Sequence, residues 1–504
     1  MTQDLLIIGG GINGAGIARD AAGRGLSVTL VEQHDLASHT SSASTKLIHG
    51  GLRYLETYQF RLVREALQER ERLLAIAPHI IWPLRFVLPL GPASRPAWLL
   101  RAGLFLYDHI GGRGRLPPTK SLRLDGTGPG AGLAPGITRG FAYSDCWVQD
   151  SRLTVLNAMD AAENGARILT RTQLVTARRH DGLWHATLKD LATGHTETLT
   201  ARMLVNAAGP WVASIIGSTL GLNTTRRTRL VKGSHIVVPR LYAGAHAYIL
   251  QNPDRRIVFA IPYETDFTLI GTTDLPYGGD PTQVAISPEE TTYLCEAVNA
   301  WLAHPIKPAD VVWSYAGVRA LFDDGAPTAS EVTRDYVLDL DAPLGAAKLL
   351  SVFGGKITTY RRLAEHALAR LGVSGKPWTA TKPLPGGDMP GGDFDTWFAG
   401  FVSRHPGLPP AHAMRLARAY GTRAERILAA PQGADLGGGL TDAELNYLVR
   451  EEFARTAEDV LFRRSKLGLH TNAAAVEKYF LKNDGGVGGH GTSPPTSSSP
   501  ALNG

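Results

Sequence analysis

The chain has 504 residues, 43% hydrophobic and 19% charged, a globular balance that excludes global disorder and, at this length, implies more than one core. The net charge of +6 comes without a clustered basic stripe, which argues against nucleic acid as a partner and leaves an anionic substrate or an anionic membrane surface open. The two cysteines, Cys146 and Cys295, show no C-x-x-C or His-rich spacing, which excludes a disulfide framework, structural zinc and iron–sulfur chemistry and leaves two small buried apolar residues.

The chain enters its first strand almost at once, so no secretory signal fits there. Residues 4–32 read DLLIIGGGINGAGIARDAAGRGLSVTLVE. An apolar strand (Leu5 to Ile8) meets Gly9, Gly11 and Gly14 at G-x-G-x-x-G spacing, then a helix pattern, then a second strand ending in Glu32. The first glycine permits the tight turn, the second admits a pyrophosphate to the backbone, and the third lets helix pack on strand. The helix N-terminus offers unpaired N–H groups to phosphate, and Glu32 accepts from both hydroxyls of an adenosine ribose. The unit predicts a site for FAD or NAD.

A hydroxyl-rich segment (Thr40 to Thr45) and a helix over Phe60 to Ile76 follow. Residues 77–138, rich in Pro, Gly and Arg, read as an insertion or cap. A second α/β passage has a helix near 151–164, strands across 166–203, and LVNAAGPW at 204–211. The β-branched and aromatic runs from 229 to 274 predict a largely antiparallel sheet. LLSVFGGKITTYRRLAEHAL (349–368) is another strand–glycine–helix junction. Residues 372–393 read as a Gly/Pro linker. A small helical domain over 394–484 follows, with Thr441 and Glu444 at capping-box spacing. The low-complexity tail 485–504 is expected to be disordered. The fold class expected is α/β: a Rossmann-like cofactor domain in segments (about 1–75, 140–211 and 345–371), an antiparallel-sheet substrate domain (about 77–138 and 212–344), and the helical C-terminal domain.

A nicotinamide enzyme would continue with parallel βα units. This chain instead offers TSSASTKLIHGGLRYLE (40–56) and two further glycine turns, Ala208-Gly209 and Gly354-Gly355. Three separate turns suit the length of FAD, and the Gly355 turn is expected to bring a helix N-terminus and Lys356 to the negative charge of a reduced ring.

Together with YSDCWVQDSRL, LVKGSHIVVP, GTTDLPYGGDP, YAGVRAL and TRDYVLD, these motifs resemble the FAD-dependent, quinone-linked sn-glycerol-3-phosphate dehydrogenases over about residues 3–482. The resemblance implies oxidation of glycerol 3-phosphate to dihydroxyacetone phosphate, with electrons passing to ubiquinone, and a homodimer. It places cofactor contacts at Gly9, Gly11, Gly14, Glu32, Ser41, Ser42, Ser44, Lys46, His49, Gly50, Ala208, Gly209, Gly354, Gly355 and Thr358.

The residue types fit that reaction. A phosphate dianion favours planar, permanently charged donors, and Arg53, Arg319 and Arg334 each stand in a family-like motif, with Tyr54 and Thr272 as further contacts. Alcohol oxidation needs a base for the hydroxyl proton. His235 is the favoured base over His49, with Arg319 and Lys356 sharing the stabilisation of a developing alkoxide.

Ubiquinone lives in lipid, yet no window approaches the roughly 20 apolar residues of a membrane span. RPAWLLRAGLFLYDHIGGRGR (95–115) instead suits insertion at an anionic interface. The second amphipathic stretch, 356–370, reads as a core helix. The expectation is a cytoplasmic protein held peripherally at the inner membrane surface. Two alternatives remain: an FAD oxidase returning electrons to oxygen, and a non-catalytic flavoprotein.

Overall fold

The computed structural model describes residues 2–56, 58–92, 94–112, 114–323 and 335–483; Arg334 and the tail 485–504 lie outside them. In chain order the strands begin β1 (Thr2–Ile8), β2 (Val28–Val31), β3 (Leu47–Ile48), β4 (Ile81–Pro89), β5 (Lys120–Arg123) and β6 (Arg139–Val148). Then come β7 (Arg167–Leu169), β8 (Thr172–His180), β9 (Leu183–Asp190), β10 (Thr196–Asn206), β11 (Thr228–Pro239) and β12 (Ala247–Gln251). The last six are β13 (Ile257–Tyr263), β14 (Phe267–Gly271), β15 (Leu275–Pro276), β16 (Trp313–Phe322), β17 (Val337–Asp341) and β18 (Lys348–Phe353).

The first sheet runs β17-β18-β10-β1-β2-β7. Its middle, from β18 to β7, is parallel, and β9 and β8 extend it as an antiparallel ribbon. The unbroken apolar run Leu5–Ile8 is buried on both faces, as a central parallel strand requires. Three helices cover one face: α1 (Ile12–Gly23), α4 (Asp150–Glu163) and α7 (Tyr360–Leu371). The second sheet runs β15-β11-β14-β13-β12-β4-β6-β3, with β16 on β11 and β5 on β6. It is antiparallel apart from β4 against β12. The expected cap, 77–138, supplies β4, β5 and the helix α3 (Ala97–Ile110) to this second layer. Strand β6 also lies there, buried from Gly140 onward, so the cofactor domain resumes at α4 rather than near residue 140.

The helix α2 (Phe60–Ile76) buries Val63, Leu67, Leu73 and Leu74, the stripe its periodicity predicts. Helix α7 buries Tyr360, Leu363, Ala364 and Leu368; it is a core helix. Beyond it the chain does not hang free. Trp378 lies on Gly23 at the end of α1, where a Cβ would sit 1.9 Å from the indole. Its Nε1 donates to the Asp20 carbonyl at 3.2 Å, and the Arg19 guanidinium stands 5.1 Å above its ring. The C-terminal helices, including Phe394–Arg404, Pro410–Tyr420 and Asp442–Glu451, share one apolar core with α1 and α4. Thr441 caps the last of these by accepting from Glu444 N–H at 3.3 Å. The reciprocal half of the box is missing because the Glu444 carboxylate is taken by Arg415 and Tyr420.

Candidate active site

A cleft of about 440 Å³ opens where the two sheets meet. Its wall at one end is the turn from β1 into α1. Gly9 holds φ +106°, in the region that favours glycine, and a Cβ on Gly14 would stand 1.9 Å from the Gly9 carbonyl oxygen. Neither position tolerates a side chain, so strand and helix meet backbone to backbone. Glu32 closes the adjacent edge, its carboxylate accepting from Gly10 N–H at 2.7 Å and His34 N–H at 2.8 Å. Burial pushes its pKa up while those two donors oppose the shift.

The hydroxyl-rich segment crosses the cleft floor. Ser41 Oγ accepts from Ile12 N–H at 2.9 Å, at the start of α1. Ser44 Oγ donates to Asp150 at 2.8 Å. Lys46 departs from expectation. It is fully buried and absent from the cleft lining, its ammonium 3.0 Å from Asp150 Oδ1 and 2.9 Å from the Ser42 carbonyl. A buried ammonium needs a carboxylate, and Asp150 lies behind the cleft. Ser42 also misses the lining, its hydroxyl turned to the His39 carbonyl at 3.1 Å. His49 and Gly50 do line the cleft. Gly50 N–H donates at 2.7 Å to Tyr107 Oη, on the inner side of α3, and that phenol donates to Asp145 at 2.9 Å.

Ala208, Gly209, Gly354, Gly355, Lys356 and Thr358 come to the same cleft. Gly354 and Gly355 hold φ of +78° and +104°, and Asn13 Nδ2 donates to the Gly354 carbonyl at 3.0 Å. The helix expected at Gly355 starts only at Tyr360. An intervening turn, Ile357–Thr359, presents Thr358 instead, whose Oγ1 accepts from His49 N–H at 3.3 Å.

The opposite wall belongs to the antiparallel sheet. Register pairs Val231 with Arg319, Gly233 with Gly317 and His235 with Tyr315, so these six residues share one face. His235 is 2% exposed. Its Nε2 lies 3.0 Å from Thr45 Oγ1, and its Nδ1 has no hydrogen-bond partner among the described residues. Burial, with Lys46 and Arg319 nearby, pushes its pKa down to about 3, so the ring is neutral at physiological pH. Burial also lowers the His49 pKa. A Cβ on Gly271 would stand 2.0 Å from the His235 ring, and one on Gly233 2.8 Å from Thr272 Oγ1. Arg319 pairs with Asp274 at 3.0 Å, and the Lys356 ammonium stands 4.2 Å above the Tyr54 ring. Arg53 is exposed on the short turn Leu52–Leu55 and outside the lining, although its neighbour Tyr54 is within it. Arg334 lies outside the described residues.

Residues 4–361 match the family model described as FAD dependent oxidoreductase. The chain belongs to that family. Residues 378–479 match the C-terminal domain of alpha-glycerophosphate oxidase. The chain is 57% identical to a glycerol-3-phosphate dehydrogenase of Pseudomonas aeruginosa, covering 92% of each. It is 52% identical to a D-erythritol 1-phosphate dehydrogenase of Brucella abortus, covering 94% of this chain and 96% of the relative. The crystal structure of glycerol-3-phosphate dehydrogenase from Bacillus halodurans complexed with FAD superposes with a TM-score of 0.74 at 27% identity, covering 96% and 90%.

The cofactor of this FAD-dependent oxidoreductase fits the residues present. The Gly9–Gly14 turn leaves room only for backbone, Glu32 stands at the end of β2, and all three glycine turns open on one cleft. Several residues at the site were missed by sequence reasoning. Tyr315 and Gly317 sit four and two residues before Arg319, and alternation along β16 would have put all three on one face. Thr45 ends the hydroxyl-rich segment already singled out, but its contact with His235 lies 190 positions along the chain. Asn13 and Tyr107 carried no local signal, because each acts on backbone distant in sequence.

Proposed function

We propose that this enzyme oxidises the secondary alcohol of sn-glycerol 3-phosphate to dihydroxyacetone phosphate. The observation that carries the reading is the meeting, in one cleft, of the three glycine turns with His235, Arg319, Lys356 and Thr272. FAD, when bound, supplies the two-electron acceptor. Arg319 offers a guanidinium to the phosphate, and Tyr54 and Thr272 offer hydroxyls. Arg53 and Arg334 are further phosphate partners on the resemblance of their motifs alone. Neutral His235, its Nε2 held 3.0 Å from Thr45 Oγ1, takes the hydroxyl proton. The Lys356 ammonium stabilises negative charge beside the ring system. Anaerobic addition of glycerol 3-phosphate is expected to bleach the flavin absorbance; an unchanged spectrum sinks the reading.

The Brucella abortus relative favours a second reading, in which the substrate is a longer phosphorylated polyol. A kcat/KM for D-erythritol 1-phosphate above that for glycerol 3-phosphate would establish it.

Ubiquinone is the electron acceptor we assign, reached by peripheral contact with the cytoplasmic face of the membrane. Among the described residues no helix is long and apolar enough to cross a bilayer. Helix α3 buries Leu100, Leu104 and Tyr107 and leaves Trp98 73% and Phe105 58% exposed, with Leu99 and Leu106 beside them. An outward stripe of that size suits the lipid interface. Reduction of a soluble ubiquinone analogue outpacing that of oxygen is the expected result. The resemblance also favours a homodimer, which sedimentation tests.

A further inference from the structure

Away from the cleft, a second hollow of about 400 Å³ is lined by Ser94, Arg95, Gln251, Asn252, Arg255 and Arg256, and shares no lining residue with the first. Asn252 is 6% exposed. Its Oδ1 accepts from the Trp301 indole at 3.3 Å, which fixes the amide, yet its Nδ2 is buried with no partner among the described residues. An orphaned buried donor costs free energy until an acceptor arrives. Three guanidiniums flank it. Arg95 pairs with Glu56 at 2.7 Å. Arg256 stands 3.8 Å from Asp254 and 5.3 Å above the Tyr293 ring. The Arg255 guanidinium has no hydrogen-bond or ion-pair partner among the described residues. Three positive charges against two carboxylates leave the hollow cationic, with planar donors suited to phosphate oxygens.

Its position names the source of the phosphate. Ser94 and Arg95 directly precede α3, whose first turn exposes Trp98 and Leu99. We propose that the hollow receives the phosphate of an anionic phospholipid while the outer face of α3 enters the bilayer beside it. This rests on the membrane contact proposed above and adds a discrete headgroup site to it. Trp98 and Phe105 supply insertion into any lipid; the hollow supplies preference for a negatively charged one. Each arginine near such a surface changes binding about fivefold.

The test is flotation of the full-length holoenzyme with vesicles of phosphatidylcholine alone or with phosphatidylglycerol. The unaltered protein is expected to bind the anionic vesicles at least tenfold more tightly. Arg255→Ala with Arg256→Ala is expected to abolish that preference and leave binding to neutral vesicles and dye-linked turnover unchanged. Asn252→Asp keeps the acceptor for Trp301 but replaces the orphan donor with a negative oxygen, and is expected to weaken anionic binding at least fivefold. If Asn252→Asp binds like the parent, diffuse surface charge explains the preference and the site is overturned. Displacement from vesicles by millimolar inorganic phosphate would assign the hollow to free phosphate and also overturn it. Loss of all binding in Trp98→Ser with Phe105→Ser, with the arginine pair having no effect, keeps the α3 reading and removes the headgroup site. No binding of the unaltered protein to either vesicle removes both.

Discussion

The imidazole of His235 lies nearly parallel to the phenol of Tyr315, their centroids 4.8 Å apart and their planes inclined by 15°. The Tyr315 hydroxyl is tied to the Ser44 carbonyl at 2.8 Å, so the stack holds the ring against the cofactor-side segment. With Thr45 at one nitrogen and Gly271 at one edge, the ring has a single orientation. Removing it as His235→Ala is expected to lower kcat by about 10²- to 10⁴-fold with bound flavin retained. Because burial holds its pKa at about 3, the parent enzyme should show no loss of kcat/KM near pH 6.5 from this group. Steady-state profiles from pH 5 to 9 check both points.

Two glycines separate cofactor binding from chemistry. Gly14→Ala places a methyl group 1.9 Å from the Gly9 carbonyl and is expected to give protein without flavin. Gly271→Ala places one 2.0 Å from the His235 ring, and is expected to keep the flavin while kcat falls. The ratio of flavin to protein absorbance, beside turnover, distinguishes the two.

The Lys46–Asp150 pair is completely buried. Lys46→Met leaves the carboxylate unpaired and is expected to destabilise the fold by about 3–5 kcal/mol, while Lys46→Met with Asp150→Leu is expected to cost less than the single change. Denaturant unfolding of the two variants is the measurement. A direct flavin contact at Lys46 would instead show as a changed flavin spectrum in a protein of parental stability.

His79 is fully buried between the cofactor domain and the C-terminal helices, close to Gly386 and Gly421. Burial, with Arg152 and Arg418 nearby, pushes its pKa down to about 3. The unfolded chain therefore binds a proton that the folded one refuses. Stability falls as pH drops below about 6.5, by up to about 1.4 kcal/mol per pH unit for this group. His79→Asn is expected to flatten the decline of the unfolding midpoint between pH 7 and 5.

Much of this molecule is legible from local pattern. The G-x-G-x-x-G turn and Glu32 carry their chemistry in one short β-α-β unit, and α2 and α7 announce themselves by apolar spacing. His235 and Arg319 were reachable because each sits in a distinctive strand motif. Less legible was what side-chain burial decides. Lys46 stands among flavin-segment residues in sequence, but its partner Asp150 lies 104 positions away. Arg53 and Tyr54 are neighbours in the chain, and only the turn geometry of Leu52–Leu55 separates the exposed guanidinium from the inward phenol. The boundary near residue 140 failed for a similar reason. An apolar strand reads alike in either sheet, and only its pairing with β4 assigns β6.

The indole of Trp378 pressed on Gly23 makes the Gly/Pro stretch a buckle rather than a hinge. It fastens the far end of the helix whose near end receives the dinucleotide, so the C-terminal helices cannot swing away while that helix keeps its seat. Loosening the buckle, as in Trp378→Ala, should speed flavin release under mild denaturant although the mutation lies outside the cleft.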